Sequence, residues 1–202
     1  MSDAHAAAPA HAHDPNIGIT GIDHRKMGMW AFLGSDFMFF GSLIGTYLSY
    51  KGKSLGGPTP HEIFNIPLTS VSAFVLLMSS VWMVLALHYL RLGQMRWAKF
   101  WIFMTAAFGA WFVGNQVYEF SSFVDEGLTL GTSLFGSTFF VLTGFHGAHV
   151  TGGVIWLLSL WGLAWLGKLG PQDYLKVEIA GLYWHFVDIV WIAIFTLVYL
   201  IP

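Results

Sequence analysis

Residues 133–166 read SLFGSTFFVLTGFHGAHVTGGVIWLLSLWGLAWL, a stretch of 34 residues without a single Asp, Glu, Lys or Arg. An α-helix of this length extends about 50 Å, because each residue adds about 1.5 Å. A bilayer's hydrocarbon core is only about 30 Å thick. The stretch is therefore predicted to be a membrane-spanning helix that protrudes from the bilayer or begins before it.

Other parts of the chain have the same apolar character, and about 20 such residues are enough to cross a bilayer. These stretches are too long for barrel strands and show no sustained alternation of polar and apolar residues, which favours helices. We therefore predict an all-α membrane protein: a flexible cytoplasmic tail, residues 1–26, followed by a single domain, residues 27–202, that is a bundle of five transmembrane helices. The predicted spans are Met27–Tyr50, Leu68–Leu90, Trp97–Tyr118, Ser133–Leu166 and Ala180–Ile201.

The composition supports the prediction of a membrane protein and excludes several classes of function. The 202 residues are 55% hydrophobic and 10% charged, with a mean hydropathy of +0.62. The net charge is −2 and the Lys and Arg residues form no basic stripe, so nucleic acid is not expected as a partner. Since the chain has no cysteine, disulfides and thiolate metal sites are excluded.

Basic residues predict the orientation. If the N-terminus is cytoplasmic, seven of the nine Lys and Arg residues lie on the inner side and only Lys51 and Lys53 lie outside. The third-to-fourth connection would then be an outer, acidic segment that carries Glu119, Asp125 and Glu126. This asymmetry follows the positive-inside rule and predicts an inner N-terminus and an outer C-terminus.

Asp36 is the one carboxyl within the first predicted span, where it lies among phenylalanines in LGSDFMFF. A charged group at membrane depth costs about 2.5–3.5 kcal/mol on insertion scales, so its presence needs a reason. It either handles protons or contacts lipid, or it is hydrogen-bonded to a neighbouring helix. The sequence gives these two interpretations equal weight.

The fourth span contains two histidines and a stripe of small residues. His146 and His149 are three residues apart and share a helix face, so they could in principle hold a metal together. Small residues at four-residue intervals let a neighbouring helix approach closely, and this favours interhelical hydrogen bonds by the histidines over metal binding. The stripe consists of Gly144, Ala148 and Gly152.

The fifth span contains YWHFVDIVW, with His185 and Asp188 also three residues apart. The pair could be a proton relay, but buried charges are normally paired, and we expect a self-neutralised patch that packs against protein. Glu119, just beyond the third predicted span, is grouped with these residues as a candidate interhelical contact. No residue is proposed as catalytic or as a metal ligand.

Two segments carry a family resemblance. Residues 136–153, GSTFFVLTGFHGAHVTGG, and residues 183–191, YWHFVDIVW, resemble the most characteristic stretches of subunit III of haem–copper terminal oxidases. Residues 30–40 resemble the family's helix with a buried carboxylate, and residues 65–80 resemble the helix that follows it. The resemblance covers nearly everything after residue 26 and matches the bacterial five-helix form.

The resemblance implies a noncatalytic subunit of a proton-pumping oxidase, located in the bacterial cell membrane. It implies no cofactor in this chain, haem and copper in the partner subunits, and structural phospholipids in a cleft between helix groups. The expected partners are subunit I as the main contact, subunit II and a small subunit IV. The expected role of this chain is to stabilise subunit I and to support proton uptake.

The residues leave some alternatives open. Asp36, where most cytochrome c oxidase members have Glu, is more like the quinol oxidase branch, whereas GSTFF and TGFHG are more like the cytochrome c type, which we favour. An accessory subunit of a nitric oxide reductase system is a further alternative within the family. Outside it, His146, His149 and His185 could serve a metal-dependent intramembrane enzyme, and Asp36 with Asp188 could serve a small transporter.

Overall fold

The fold is known from a computed structural model that describes residues 21–51, 66–131 and 133–201. These ranges contain helices and no β-strand. The predicted tail up to residue 20 and most of the first loop, including Lys53, lie outside the described residues. The helices are α1, His24–Tyr50; α2, Ile66–Arg91; α3, Met95–Asp125; α4, Leu134–Trp165; and α5, Tyr174–Ile194, which is preceded by a 3-10 turn, Pro171–Asp173, and followed by a π-helical turn, Phe195–Leu200.

Three helix boundaries differ from the prediction by three residues or more. Helix α1 begins at His24 rather than Met27. The third helix continues to Asp125, so Glu119 lies in a helix and not in a connection. The fifth begins at Tyr174 rather than Ala180. The predicted spans stopped where the apolar runs stop, whereas these helices continue through polar residues that find partners at or near the ends of the bundle.

Four helical segments of the described chain are long and apolar enough to cross a membrane: α1, α2, α4 and Pro171–Leu200. Helix α3 has 31 residues but is not among them. Asn115 and Gln116 interrupt its apolar run and lower its mean hydropathy. The all-helical prediction is confirmed for the described residues, whereas the count of five spans stays a prediction.

Helix packing divides the bundle unequally. Helix α2 packs against α3 and α5, and α4 packs against α3 and α5, which makes a four-helix group. Helix α1 lies outside this group and packs mainly on α4 and α5. Large apolar side chains on the outer face of α1, among them Phe37 and Met38, are exposed in the isolated chain.

Trp184 of α5 lies where the four helices of the group meet. Its side chain is 1% exposed, and its indole nitrogen donates a hydrogen bond of 2.9 Å to Ser79 Oγ of α2. A Cβ atom on Gly109 of α3 would lie 2.4 Å from the indole, and one on Gly153 of α4 would lie 2.8 Å from it. Glycine is favoured at both positions because a side chain there would occupy space that the ring fills.

The small-residue stripe predicted on α4 does not make this close contact. Ala148 and Gly152 are exposed in the isolated chain, and a Cβ atom on Gly152 would meet only the Tyr183 hydroxyl, at 3.8 Å. Gly144 is half-buried and has no closer neighbour than Phe120, at 4.0 Å. Within the described residues the stripe packs closely against no helix, because the next residue, Gly153, faces the bundle instead. Its role in helix packing stays a prediction.

Polar contacts join the helix ends. At one end, Glu178 of α5 binds Lys26 of α1 at 2.7 Å and Arg91 of α2 at 3.5 Å. At the other end, the Lys51 ammonium donates hydrogen bonds to the carbonyl oxygens of Leu197 and Ile201. The ends of α1 and α5 therefore lie together on both sides, and these two helices run parallel.

The start of α1 is capped by Asp23, whose carboxylate accepts a hydrogen bond of 2.8 Å from the backbone N–H of Arg25. The guanidinium of the same arginine lies 2.9 Å from the carboxylate. Hydrogen bonds from this side chain, and then from this backbone N–H, hold the pKa of Asp23 below its ordinary value. The first turn of α1 thus begins on a carboxylate that stays ionised.

Candidate functional site: polar groups within the helix bundle

Asp36 of α1 lies beside His149 of α4, with 3.5 Å between Asp36 Oδ2 and His149 Nε2. Both side chains are largely shielded, at 13% and 20% exposure respectively. His149 Nδ1 lies 2.7 Å from the Phe145 carbonyl oxygen, which can only accept, so this nitrogen carries a proton. Asp36 Oδ2 itself has no hydrogen-bond partner among the described residues, so the two side chains are neighbours at an ion-pair distance and are not hydrogen-bonded.

The surroundings of this pair come from three helices. Phe40 of α1 contacts the His149 ring edge to face, with 4.9 Å between ring centroids. The Tyr183 hydroxyl of α5 donates a hydrogen bond of 2.9 Å to the His149 carbonyl oxygen. The arrangement places a carboxyl and an imidazole side by side at the contact between α1 and the four-helix group.

His146 occupies a different environment, although it shares a sequence motif with His149. It is fully buried, and its ring stacks on Trp191 with 4.9 Å between centroids. The edges of Phe40 and Phe112 close the pocket around it. Neither ring nitrogen has a hydrogen-bond partner within the described residues. The interhelical hydrogen bond expected of His146 is not made in these ranges, because aromatic rings surround it.

His185 and Asp188 are joined through a third residue rather than to each other. Ser80 of α2 donates a hydrogen bond to Asp188, and His185 Nδ1 lies 3.1 Å from the same hydroxyl. Since the serine has only one proton to give, His185 is the donor to Ser80. The order of donation runs from imidazole to hydroxyl to carboxylate and links α5 to α2.

Ser80 is a residue that sequence reasoning missed. Its signal was the pair Ser79–Ser80 within the apolar run of α2, where two adjacent hydroxyls need partners. One accepts from Trp184 and the other serves His185 and Asp188. Asp188 is 3% exposed, so this connection lies inside the bundle.

Glu119 and Gln116 form the remaining contacts, both on α3. Glu119 is 7% exposed and accepts a hydrogen bond from Thr69 of α2. Gln116 donates a hydrogen bond of 2.7 Å to the Thr143 carbonyl oxygen of α4. A Cβ atom on Gly147 would lie 2.4 Å from the Gln116 side-chain oxygen, so that glycine makes room for the amide. Neither Gln116 nor Gly147 was predicted.

The geometry distributes the polar groups over separate helix pairs. Among the described residues, no three His, Asp or Glu side chains form a group that could hold a metal ion. His149 contacts α1, His185 contacts α2 and His146 is enclosed by aromatic rings. The three histidines of the metal-enzyme hypothesis therefore do not converge.

The comparison with protein families decides the assignment. The family model described as cytochrome c oxidase subunit III matches residues 10–201. This chain belongs to the cytochrome c oxidase subunit III family. The resemblance of its fourth and fifth helices to subunit III of haem–copper oxidases is thereby confirmed.

Known relatives of this subunit III carry two kinds of name. Quinol oxidase subunit 3 of Bacillus spizizenii is 43% identical over 176 residues, which cover 86% of this chain and 85% of the relative. Cytochrome c oxidase subunit 3 of Bacillus sp. strain PS3 is 39% identical over 177 residues, covering 88% and 86%. The probable quinol oxidase subunit 3 of Staphylococcus saprophyticus is 38% identical over 198 residues, covering 94% and 96%. The chain is a membrane protein and a subunit III of a haem–copper oxidase.

Proposed function

We propose that this subunit III is a noncatalytic core subunit of a proton-pumping oxidase, in which it packs against subunit I and supports proton uptake. The family match over residues 10–201 carries the proposal. The internal use of the polar groups supports it, since Ser80, Thr69 and Gln116 each engage a neighbouring helix of the same chain. Haem and copper would be held by partner subunits, and phospholipids would fill the spaces between helix groups.

The proposed topology has five membrane spans with a cytoplasmic N-terminus in the bacterial inner membrane. Helix α3 is included because it packs against both α2 and α4 and is too long, at 31 residues, to fold back within the bilayer. The contact of Glu178 with Lys26 and Arg91 supports the orientation, because it gathers basic residues of α1 and α2 on the side expected to face the cytoplasm.

The direct test is purification of the intact complex under mild detergent with a tag on this chain. Subunit I with its haem spectrum should co-purify, together with subunit II and the small subunit IV. A preparation that contains this chain without any haem–copper subunit would refute the proposal. Reduction of oxygen rather than nitric oxide by the same preparation separates the oxidase from the alternative of a nitric oxide reductase system.

The electron donor is a second question within this proposal. We favour cytochrome c from GSTFF and TGFHG, and the relative from strain PS3 bears that name. A quinol oxidase is the second candidate, favoured by Asp36 and by the relative from B. spizizenii. Turnover of the purified complex with reduced cytochrome c and with a quinol, each as sole donor, distinguishes the two.

Asp36 is proposed to act in proton uptake or lipid contact rather than in assembly. Asp36→Ala should leave the subunits together but shorten the active lifetime of the oxidase during turnover, because it removes the carboxyl that lies beside His149 where α1 meets α4. The matched control is Ser35→Ala, since Ser35 donates only to the Phe32 carbonyl of its own helix, at 2.7 Å. Identical turnover and inactivation kinetics in Asp36→Ala and wild type would assign the carboxyl a structural role alone.

A further inference from the structure

A groove of about 450 Å³ lies between the first turns of α3 and the last turns of α4. Two basic residues and four aromatic residues form its walls. The lining residues are Arg96, Lys99, Phe100, Phe103, Trp161 and Trp165.

The positive charge of the groove is not neutralised by any residue that the structure describes. Arg96 and Lys99 are three residues apart and therefore lie on one face of α3. Neither forms an ion pair with any residue of the described ranges, and no acidic side chain lines the groove. The N-terminus of α3, which begins at Met95, adds the positive end of the helix dipole. The site as a whole favours an anion.

The remaining walls are apolar and continue along the helices. The rings of Phe103 and Trp161 are 5.2 Å apart, and those of Trp161 and Trp165 are 6.0 Å apart. The Lys99 ammonium lies 4.9 Å from the Trp165 ring centroid, which places charge and aromatic surface side by side. An occupant must therefore present an anionic group at one end and a hydrocarbon surface at the other.

A second cavity at the same end of the bundle shows the contrast. It measures about 510 Å³ and is lined in part by Arg25 and Lys26, but acidic residues are among its walls. Lys26 is bound to Glu178 at 2.7 Å, and Arg25 is bound to Asp23 at 2.9 Å. Those cations already have carboxylate partners, whereas the two cations of the groove have none in the described chain.

We propose that the groove binds one anionic phospholipid, with its phosphate between Arg96 and Lys99 and an acyl chain along Phe100, Phe103 and Trp161. A soluble anion would leave the aromatic wall without a partner, and a neutral hydrocarbon would leave two cations without one. The proposal rests on the proposed topology, which puts the start of α3 and the end of α4 at the cytoplasmic headgroup level. Tryptophan and basic residues favour that level. The site lies within the four-helix group, between α3 and α4, and not between helix groups.

The test uses the intact oxidase purified in mild detergent and titrated with phosphatidylglycerol or phosphatidylcholine, with bound lipids counted by native mass spectrometry. The double variant Arg96→Gln with Lys99→Gln should bind phosphatidylglycerol about thirtyfold more weakly at one site, since each basic residue near an anionic lipid contributes about fivefold. Phosphatidylcholine should bind wild type and variant equally. The matched control, Lys168→Gln with Lys176→Gln, removes the same charge from the same side and should keep wild-type affinity.

Several outcomes would overturn the proposal. Equal binding of the two lipids to wild type would show that the headgroup charge is not recognised, and an equal loss in the control variant would show only general surface attraction. Displacement of the lipid by millimolar inorganic phosphate would show a soluble-anion site. A photoreactive benzophenone side chain in place of Phe100 should crosslink to lipid, and crosslinking to another subunit instead would show that protein covers the groove.

The same preparations separate this inference from the proposed function. If subunit I co-purifies with every variant while lipid binding falls only in the groove variant, both stand. If wild type retains subunit I but shows no preference for phosphatidylglycerol, the lipid site fails and the assignment as a core subunit is untouched. If subunit I is absent, the titration is repeated on the purified chain, where loss of the preference would refute the lipid site independently.

Discussion

Replacement of Gly109 by alanine tests how tightly Trp184 is held. The added methyl group would lie 2.4 Å and 2.9 Å from two carbons of the indole and 2.9 Å from Val154 Cγ2. The ring has little room to move, because it is 1% exposed, Gly153 lies against the adjacent atoms of the same ring edge, and the indole N–H is bound to Ser79. Overpacking of this kind costs about 1–3 kcal/mol, and the better helix propensity of alanine offsets about 0.5–1 kcal/mol. We expect a net loss of about 1–2 kcal/mol.

The absence of cysteine from this chain provides the assay. A single reporter, Ala86→Cys, is placed at a fully buried position of α2. The intact complex is heated with a maleimide dye, and labelling is measured in the band of this chain after electrophoresis. A loss of about 1 kcal/mol in the free energy of unfolding lowers the midpoint temperature by about 2–4 °C in a chain of this size. Gly109→Ala should therefore lower the midpoint temperature of labelling by about 2–8 °C.

Gly114→Ala on the same helix is the matched control, because a Cβ atom there would have no neighbour within 4 Å. Its midpoint should equal or exceed that of wild type. Adding Trp184→Phe to Gly109→Ala should recover part of the loss, since the smaller ring leaves room for the methyl group. If Gly109→Ala and Gly114→Ala melt alike, Trp184 does not hold the four helices in the way described.

Three further substitutions test contacts elsewhere in the chain. Ser80→Ala removes the hydroxyl that joins His185 to Asp188, at a cost of about 1–3 kcal/mol for each buried group left without a partner. It should therefore lower the midpoint temperature of labelling, whereas Ser35→Ala should leave that temperature unchanged. Lys51→Met should speed amide exchange in the final turn of the last helix by roughly tenfold, as carbonyl groups lose a charged donor, and Lys168→Met should leave it unchanged. Folding lowers the pKa of Asp23, so the stabilisation that its capping hydrogen bond gives to α1 should be complete above the ordinary pKa of 3.8. That stabilisation should be lost as the pH falls through the lower pKa of the folded protein. Amide exchange in the first turn of α1 should rise in this acid range, relative to the unfolded chain, and Asp23→Asn should lack that step.

The sequence predicted the helical class and the approximate extent of each helix because hydrophobic runs control both. It failed at the ends of α3 and α5, where polar residues continue a helix without continuing an apolar run. Glu119 illustrates the reason. Its charge suggested an outer connection, but Thr69 on a different helix supplies a hydrogen bond that the sequence does not display.

The polar pairs were predicted in type but not in detail. The spacing of His146 and His149 correctly put both on α4, yet a three-residue step still turns the helix by about 60° from perfect alignment. One ring therefore enters an aromatic pocket while the other contacts Asp36. The separation of Gly152 from Gly153 has the same origin, since one residue changes which side of the helix faces Trp184.

The outlying position of α1 has a consequence for biosynthesis. Its contacts are made with α4 and α5, and the ion pair of Lys26 with Glu178 joins residues 152 positions apart in the chain. During synthesis, α1 must therefore wait in the bilayer as a separate helix while α2 and α3 are made and pair with each other. Contacts between elements so distant in sequence form late and slowly. Over that interval Asp36 has not yet met His149, and we expect an insertase or chaperone that shields this carboxyl to act on α1 before α4 has left the ribosome.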